Sequence, residues 1–133
     1  MIFGLKEAPS QKCFLSYTRT GPLDGFPVIN IYDTTNLRQL NSIAVSDERI
    51  DVIEFSCQSN MLLVVSSSEQ NGARVSTLSV WDFIDGHRDI FCKSMVPIEI
   101  RAAAWNPYLK MNADEFVSIS DRVYHYWRIT ETL

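Results

Sequence analysis

Two histidines and three cysteines are all the imidazole and thiol that the 133 residues carry. None stands at ligand spacing: His87 and His125 lie far apart, Cys13, Cys57 and Cys92 equally so, and no C-x-x-C occurs. A zinc site has no support in this pattern, and a Cys-His nucleophile has no local signature. An odd number of widely spaced cysteines argues against a disulfide framework and for a reducing compartment. Each sits among apolar residues, as a small buried hydrophobe does. Glycine is scarce too. The five present read as turn residues, and no glycine-rich run could cradle a phosphate. Basic excess is also lacking: 12 Lys and Arg face 16 Asp and Glu, for a net charge of −4. A nucleic-acid binder needs the opposite balance, because neutralising phosphates drives its affinity. The longest apolar runs, such as Met61-Leu62-Leu63-Val64-Val65, are too short to span a bilayer, and MIFGLKEAPS has neither the basic start nor the apolar core of a secretion signal. These absences leave a cytoplasmic, non-catalytic protein with no cofactor, no metal, no nucleic acid and no membrane partner as the expectation.

What is present is β-structure. Hydrophobic content of 46% with 21% charged residues is that of a folded globular chain, not a disordered one. Short segments rich in β-branched and aromatic residues recur: KCFLSYT at 12–18, VINIY at 28–32, IDVIEF at 50–55, MLLVV at 61–65 and VYHYWRI at 123–129. Gly21-Pro22, Asp24-Gly25, Asn71-Gly72, Asp85-Gly86 and Asn106-Pro107 separate such segments with turn chemistry. No stretch carries a helical stripe over three turns. The fold class is all-β, with ten or eleven strands in a sandwich, barrel or propeller.

Repetition decides among these. INIYD at 29–33, LSVWD at 78–82 and YHYWR at 124–128 align, with Tyr32, Trp81 and Trp127 in one column. DVIEFS at 51–56 aligns with RAAAWN at 101–106, and LVVSS at 63–67 with FVSIS at 116–120. The features return in the same order roughly every 45–50 residues, near the period of a four-stranded propeller blade. Bulky residues on both sides of these strands, such as Ile31, Val80 and Tyr126 beside Tyr32, Trp81 and Trp127, predict sheets sandwiched between neighbouring sheets.

VINIYD, LSVWDF followed by Asp85-Gly86, and VYHYWRI resemble the third strands of WD-repeat blades; FS at 55–56 and WNP at 105–107 resemble the end of a first strand and its turn. The resemblance covers nearly the whole chain. It departs from the family in having no Gly-His pair before a first strand, and in carrying SSSEQNGARVS, read as a long loop, where a short hairpin belongs. PVINIYD, LSVWDFIDG, AWNP and RVYHYWRITE resemble, in style, the large WD-repeat proteins of ciliary and flagellar axonemes. The resemblance implies one segment of propeller over 1–133: blade one at about 1–44, blade two at about 50–95, and blade three at about 100–129, whose fourth strand is missing. A closed propeller holds about four to eight blades. The remaining blades of a larger propeller are therefore expected partners.

Loops held by a rigid scaffold carry binding. In a propeller one rim would gather Asp47, Glu48 and Arg49, Glu69 in the long loop, Glu99, and Asp121 with Arg122. This rim is acidic, with Arg49 and Arg122 as its opposing cations. It favours docking of other proteins, not direct contact with microtubules, whose surface is also acidic. Tyr124, Tyr126 and Trp127 are expected in the core, and Ser66-Ser67-Ser68-Glu69 at a strand end. The function implied is a non-catalytic scaffold in the axoneme of cilia or flagella; the alternative is a regulatory adaptor propeller in trafficking or a ligase complex.

Overall fold

A computed structural model describes residues 4–8, 12–21, 25–56, 61–82, 89–107, 115–121 and 123–129; for 82 and 89–92 the backbone alone is described. Among the described residues eleven strands form three antiparallel sheets. Sheet 1 runs in the order β1 (Gly4–Glu7), β2 (Cys13–Tyr17), β3 (Val28–Asp33) and β4 (Gln39–Ala44). Sheet 2 runs β5 (Arg49–Phe55), β6 (Met61–Gln70), β7 (Ala73–Asp82) and β8 (Asp89–Val96). Sheet 3 holds β9 (Ala102–Trp105), β10 (Glu115–Ile119) and β11 (Tyr124–Arg128), with no fourth strand among the described residues. Within each sheet every strand pairs with the next along the chain, so every sheet is a meander.

Two apolar layers hold the stack together. Leu15, Ile29, Ile31 and Ile43, on the front of sheet 1, pack against Ile53, Leu62 and Val64 on the back of sheet 2. Leu63, Val65, Leu78 and Val80, on the front of sheet 2, pack against Phe116, Trp105 and Trp127 on the back of sheet 3. Sheet 2 is thus covered on both sides, and this is why Met61–Ser67 reads as a continuous run with every residue buried. The first strands of neighbouring sheets are tied as well. Trp105 Nε1 donates to the Glu54 carbonyl at 2.8 Å, and Lys6 Nζ lies 3.4 Å from Glu54 Oε1.

The structure corrects three expectations. SSSEQNGARVS is not a long loop: β6 and β7 stay paired to Gln70↔Ala73 and turn on Asn71-Gly72 alone. Both residues have positive φ, 53° and 79°, the conformation that a two-residue hairpin requires and that Asn and Gly tolerate. Tyr124 and Tyr126 are not in the core. They lie on the exposed front of sheet 3, and of the aromatic run only Trp127 packs inward. Gly4 opens β1, which runs over Gly4–Glu7, and is not a turn residue. Phe83, Asp85-Gly86, His87 and the Pro22–Asp24 turn lie outside the described residues.

Candidate docking rim

The turns between β4 and β5, β8 and β9, β6 and β7, and β10 and β11 place the predicted rim residues in two groups. The first surrounds the β6–β7 hairpin. Asp47 Oδ2 accepts from Ser66 Oγ at 2.6 Å and Oδ1 from Ser68 Oγ at 3.0 Å. The Glu48 amide donates to Ser68 Oγ at 3.0 Å, and its carboxylate lies 3.5 Å both from the Glu69 amide and from Arg74 Nη1. Ser66 and Ser67 are buried, and Ser66 and Ser68 hold the turn before β5 through Asp47.

The second group is a chain of charges running from sheet 2 onto sheet 3. Arg49 lies 2.5 Å from Asp51 and 2.9 Å from Glu99. Glu99 lies 3.9 Å from Arg101, which pairs in turn with Asp121 at 2.5 Å. The hydrogen bond from Arg49 holds the Glu99 carboxyl below the ordinary Glu value, burial opposes this, and Arg101 adds a smaller pull. Asp51 sits where the β5–β6 register shifts, with its side chain only 6% exposed. Among the described residues Asp47, Glu48 and Glu69 thus have one ion pair, Glu48 with Arg74, whereas Glu99 and Asp121 are largely matched. Arg122 lies outside the described residues.

Arg74, Arg101 and Asp51 were absent from the expected rim. Arg74 was hidden in a segment read as loop. Arg101 stands two residues after Glu99, a spacing that puts both side chains on one side of an extended backbone, and that signal was available.

A second polar cluster lies at the other end of sheet 3. Glu115 accepts from Arg128 at 2.9 Å and from Asn106 at 3.3 Å, and the Tyr126 hydroxyl bonds to it too. The Tyr126 and Arg128 contacts hold its carboxyl below the ordinary range. Trp127 Nε1 donates to Ser118 Oγ at 2.9 Å, fixing β11 on β10. Cys13 is a half-buried free thiol. Among the described residues no His, Cys, Asp and Glu group could hold a metal ion, and no helix is long and apolar enough to cross a membrane. A cleft between sheets 1 and 2, lined by Asp47, Ser66, Thr77, Trp81 and Lys93, measures about 50 Å³. Small-molecule sites run to about 300–1,000 Å³.

No family model matches this sequence, and no curated protein matches it. A solved structure does. The crystal structure of the Cps50 (Swd1) β-propeller domain from Myceliophteria thermophila is similar with a TM-score of 0.57 at 16% identity, over 96% of this chain and 39% of that one. At that identity the likeness speaks for fold alone. The chain is all-β, three blade-like antiparallel sheets of a partial β-propeller, and it spans 39% of the length of the propeller chain that it matches.

Proposed function

We propose that the chain is a non-catalytic scaffold: three blades of a WD-repeat propeller ring that dock a basic protein segment on the rim, in the axoneme of cilia or flagella. The observation that carries this reading is the uneven charge of the rim. Asp47, Glu48 and Glu69 lie near the β6–β7 hairpin, and among the described residues Glu48 is the one of the three in an ion pair, with Arg74, while the Glu99–Asp121 side carries its own guanidinium groups. Such a field steers a Lys- or Arg-rich segment to the hairpin corner and repels acidic surfaces. The axonemal assignment rests on PVINIYD, LSVWDFIDG and RVYHYWRITE and their likeness in style to axonemal WD-repeat proteins.

The test is binding of a Lys-rich probe peptide at low salt, with Glu48→Lys and Glu69→Lys beside Asp121→Lys. The first two abolish binding and the third leaves most of it. Bare microtubules do not co-sediment with the chain. Equal loss from all three substitutions, or tight pelleting with microtubules, overturns the rim assignment. Tagged protein found throughout the cytosol of ciliated cells, and not on axonemes, favours the adaptor reading.

A further inference from the structure

The three sheets share one register, so their faces compare position by position; in it Leu62, not Leu63, corresponds to Phe116, one residue off the alignment of LVVSS with FVSIS. On the front, the cross-strand pairs Leu15↔Ile31, Leu63↔Val80 and Val117↔Tyr126 correspond. The first lies under sheet 2 and the second under sheet 3, with Ile31 and Val80 only 3% and 2% exposed. The third is open. Tyr126 is 63% exposed and its neighbour Tyr124 is 79% exposed. On the back, the pairs Phe14↔Tyr32, Leu62↔Trp81 and Phe116↔Trp127 correspond. In sheets 2 and 3 these pairs seat on the sheet before them. In sheet 1 no described sheet precedes them, yet the pattern is complete: Phe14 and Tyr32 stack at 5.2 Å as Phe116 and Trp127 stack at 6.0 Å, and Leu5 beside them is exposed.

The described residues therefore carry one unfilled front and one unfilled back, of the kind that already meet twice inside the chain. We infer that these two faces meet between molecules: the front of sheet 3 in one copy seats on the back of sheet 1 in a second copy. The inference rests on the ring reading above. Contiguous exposed apolar side chains mark interaction surfaces, and the partner face is specified by continuity with the two interfaces in hand. Head-to-tail contacts run on as filaments unless the rotation closes. Two copies, each with three sheets, close on a sheet count inside the range of about four to eight blades that propellers hold.

Sedimentation velocity of the 133-residue chain tests this. The expected species has twice the 15.2 kDa mass of one chain. Leu5→Lys and Tyr124→Glu alter exposed side chains and leave the circular dichroism unchanged; each weakens self-association by about tenfold or more, over 1.4 kcal/mol. Mixing the two variants restores the dimer, because one junction then joins opposite charges and the other is unaltered. Leu5→Ser and Tyr124→Ser repeat the test without charge and weaken association in the same direction. A folded monomer that binds a hydrophobic dye overturns the second copy as occupant and leaves the ring reading standing. A monomer that melts sharply and binds no dye overturns both. A dimer that survives all four substitutions, or an open-ended series of oligomers, overturns the head-to-tail ring.

Discussion

Sheets 2 and 3 are built on one pattern and live in different surroundings. Each has a Trp on its third strand facing backward, a small or polar residue beside it, and bulky side chains facing forward. In sheet 2 the forward side chains are Leu63, Val65, Leu78 and Val80, all buried against the next sheet. In sheet 3 they are Val117, Ile119, Tyr124 and Tyr126, all exposed. The difference is not one of strand propensity, since both sets are good strand formers. It is one of neighbours. A strand's pattern states that two faces are to be covered; whether both are covered depends on what lies on either side.

The largest break in this comparison comes from truncating one front residue in each sheet. Leu63→Ala, at a residue with no exposed surface, is expected to cost about 2–5 kcal/mol in denaturant unfolding. Ile119→Ala, at the corresponding face of sheet 3, is expected to cost less than about 1 kcal/mol in the monomer, because exposed sites lack the buried-cavity penalty. Equal costs would mean that the sheet 3 front is covered in solution. On the back faces the comparison should narrow. Ser118→Ala removes the acceptor of the half-buried Trp127 indole, and about 1–3 kcal/mol is expected for an N–H left without a partner. A loss near zero would show that water reaches the indole.

The rim supplies smaller effects. Arg49→Gln removes the cation that joins Asp51 to Glu99; about 1–2 kcal/mol is expected, below the roughly 3–5 kcal/mol of a fully buried pair because Arg49 keeps some exposure. Arg101→Gln, at an exposed pair with Asp121, should cost under about 1 kcal/mol. A double-mutant cycle separates the two, and equal coupling would mean that the charge chain acts as one unit. The smallest effect is that of pH. Glu99 and Glu115 are held below the ordinary Glu value of 4.5 in the folded chain. The unfolded chain therefore takes up protons first. The stability these groups add is full above 4.5 and drains away as pH falls from there through their lowered folded values. Glu99→Gln should flatten that acid limb, as followed by melting temperature against pH.

The β-strands and their order were legible because period-two alternation and turn residues are local signals. VINIYD became a strand at its expected limits, while MLLVV and LSVWD each became one end of a ten-residue strand. The β6–β7 hairpin differs from the expected loop for a physical reason: SSSEQ and ARVS look like loop by polarity. Ser66, Ser67 and Ser76 are buried all the same, with Ser66 Oγ bonded to Asp47 and Ser76 Oγ accepting from the Ile100 amide at 3.1 Å. Asn71-Gly72 signalled the turn correctly and was outweighed by composition. Of the rim, the acidic character was readable from Asp47, Glu48, Glu69, Glu99 and Asp121. The pairings were not, because Arg49 and Glu99 lie fifty positions apart in the chain.

What the sequence determined by itself is the local part: strand positions, the recurrence of Tyr32, Trp81 and Trp127, and an all-β class without helices. Each follows from alternation, β-branched content and turn chemistry, which act over a few residues. The tertiary structure alone decided which faces are covered and which charges are matched. Burial and ion pairing are set by distance in space, and two tyrosines with the same pattern as a leucine and a valine stay in water when no sheet lies over them.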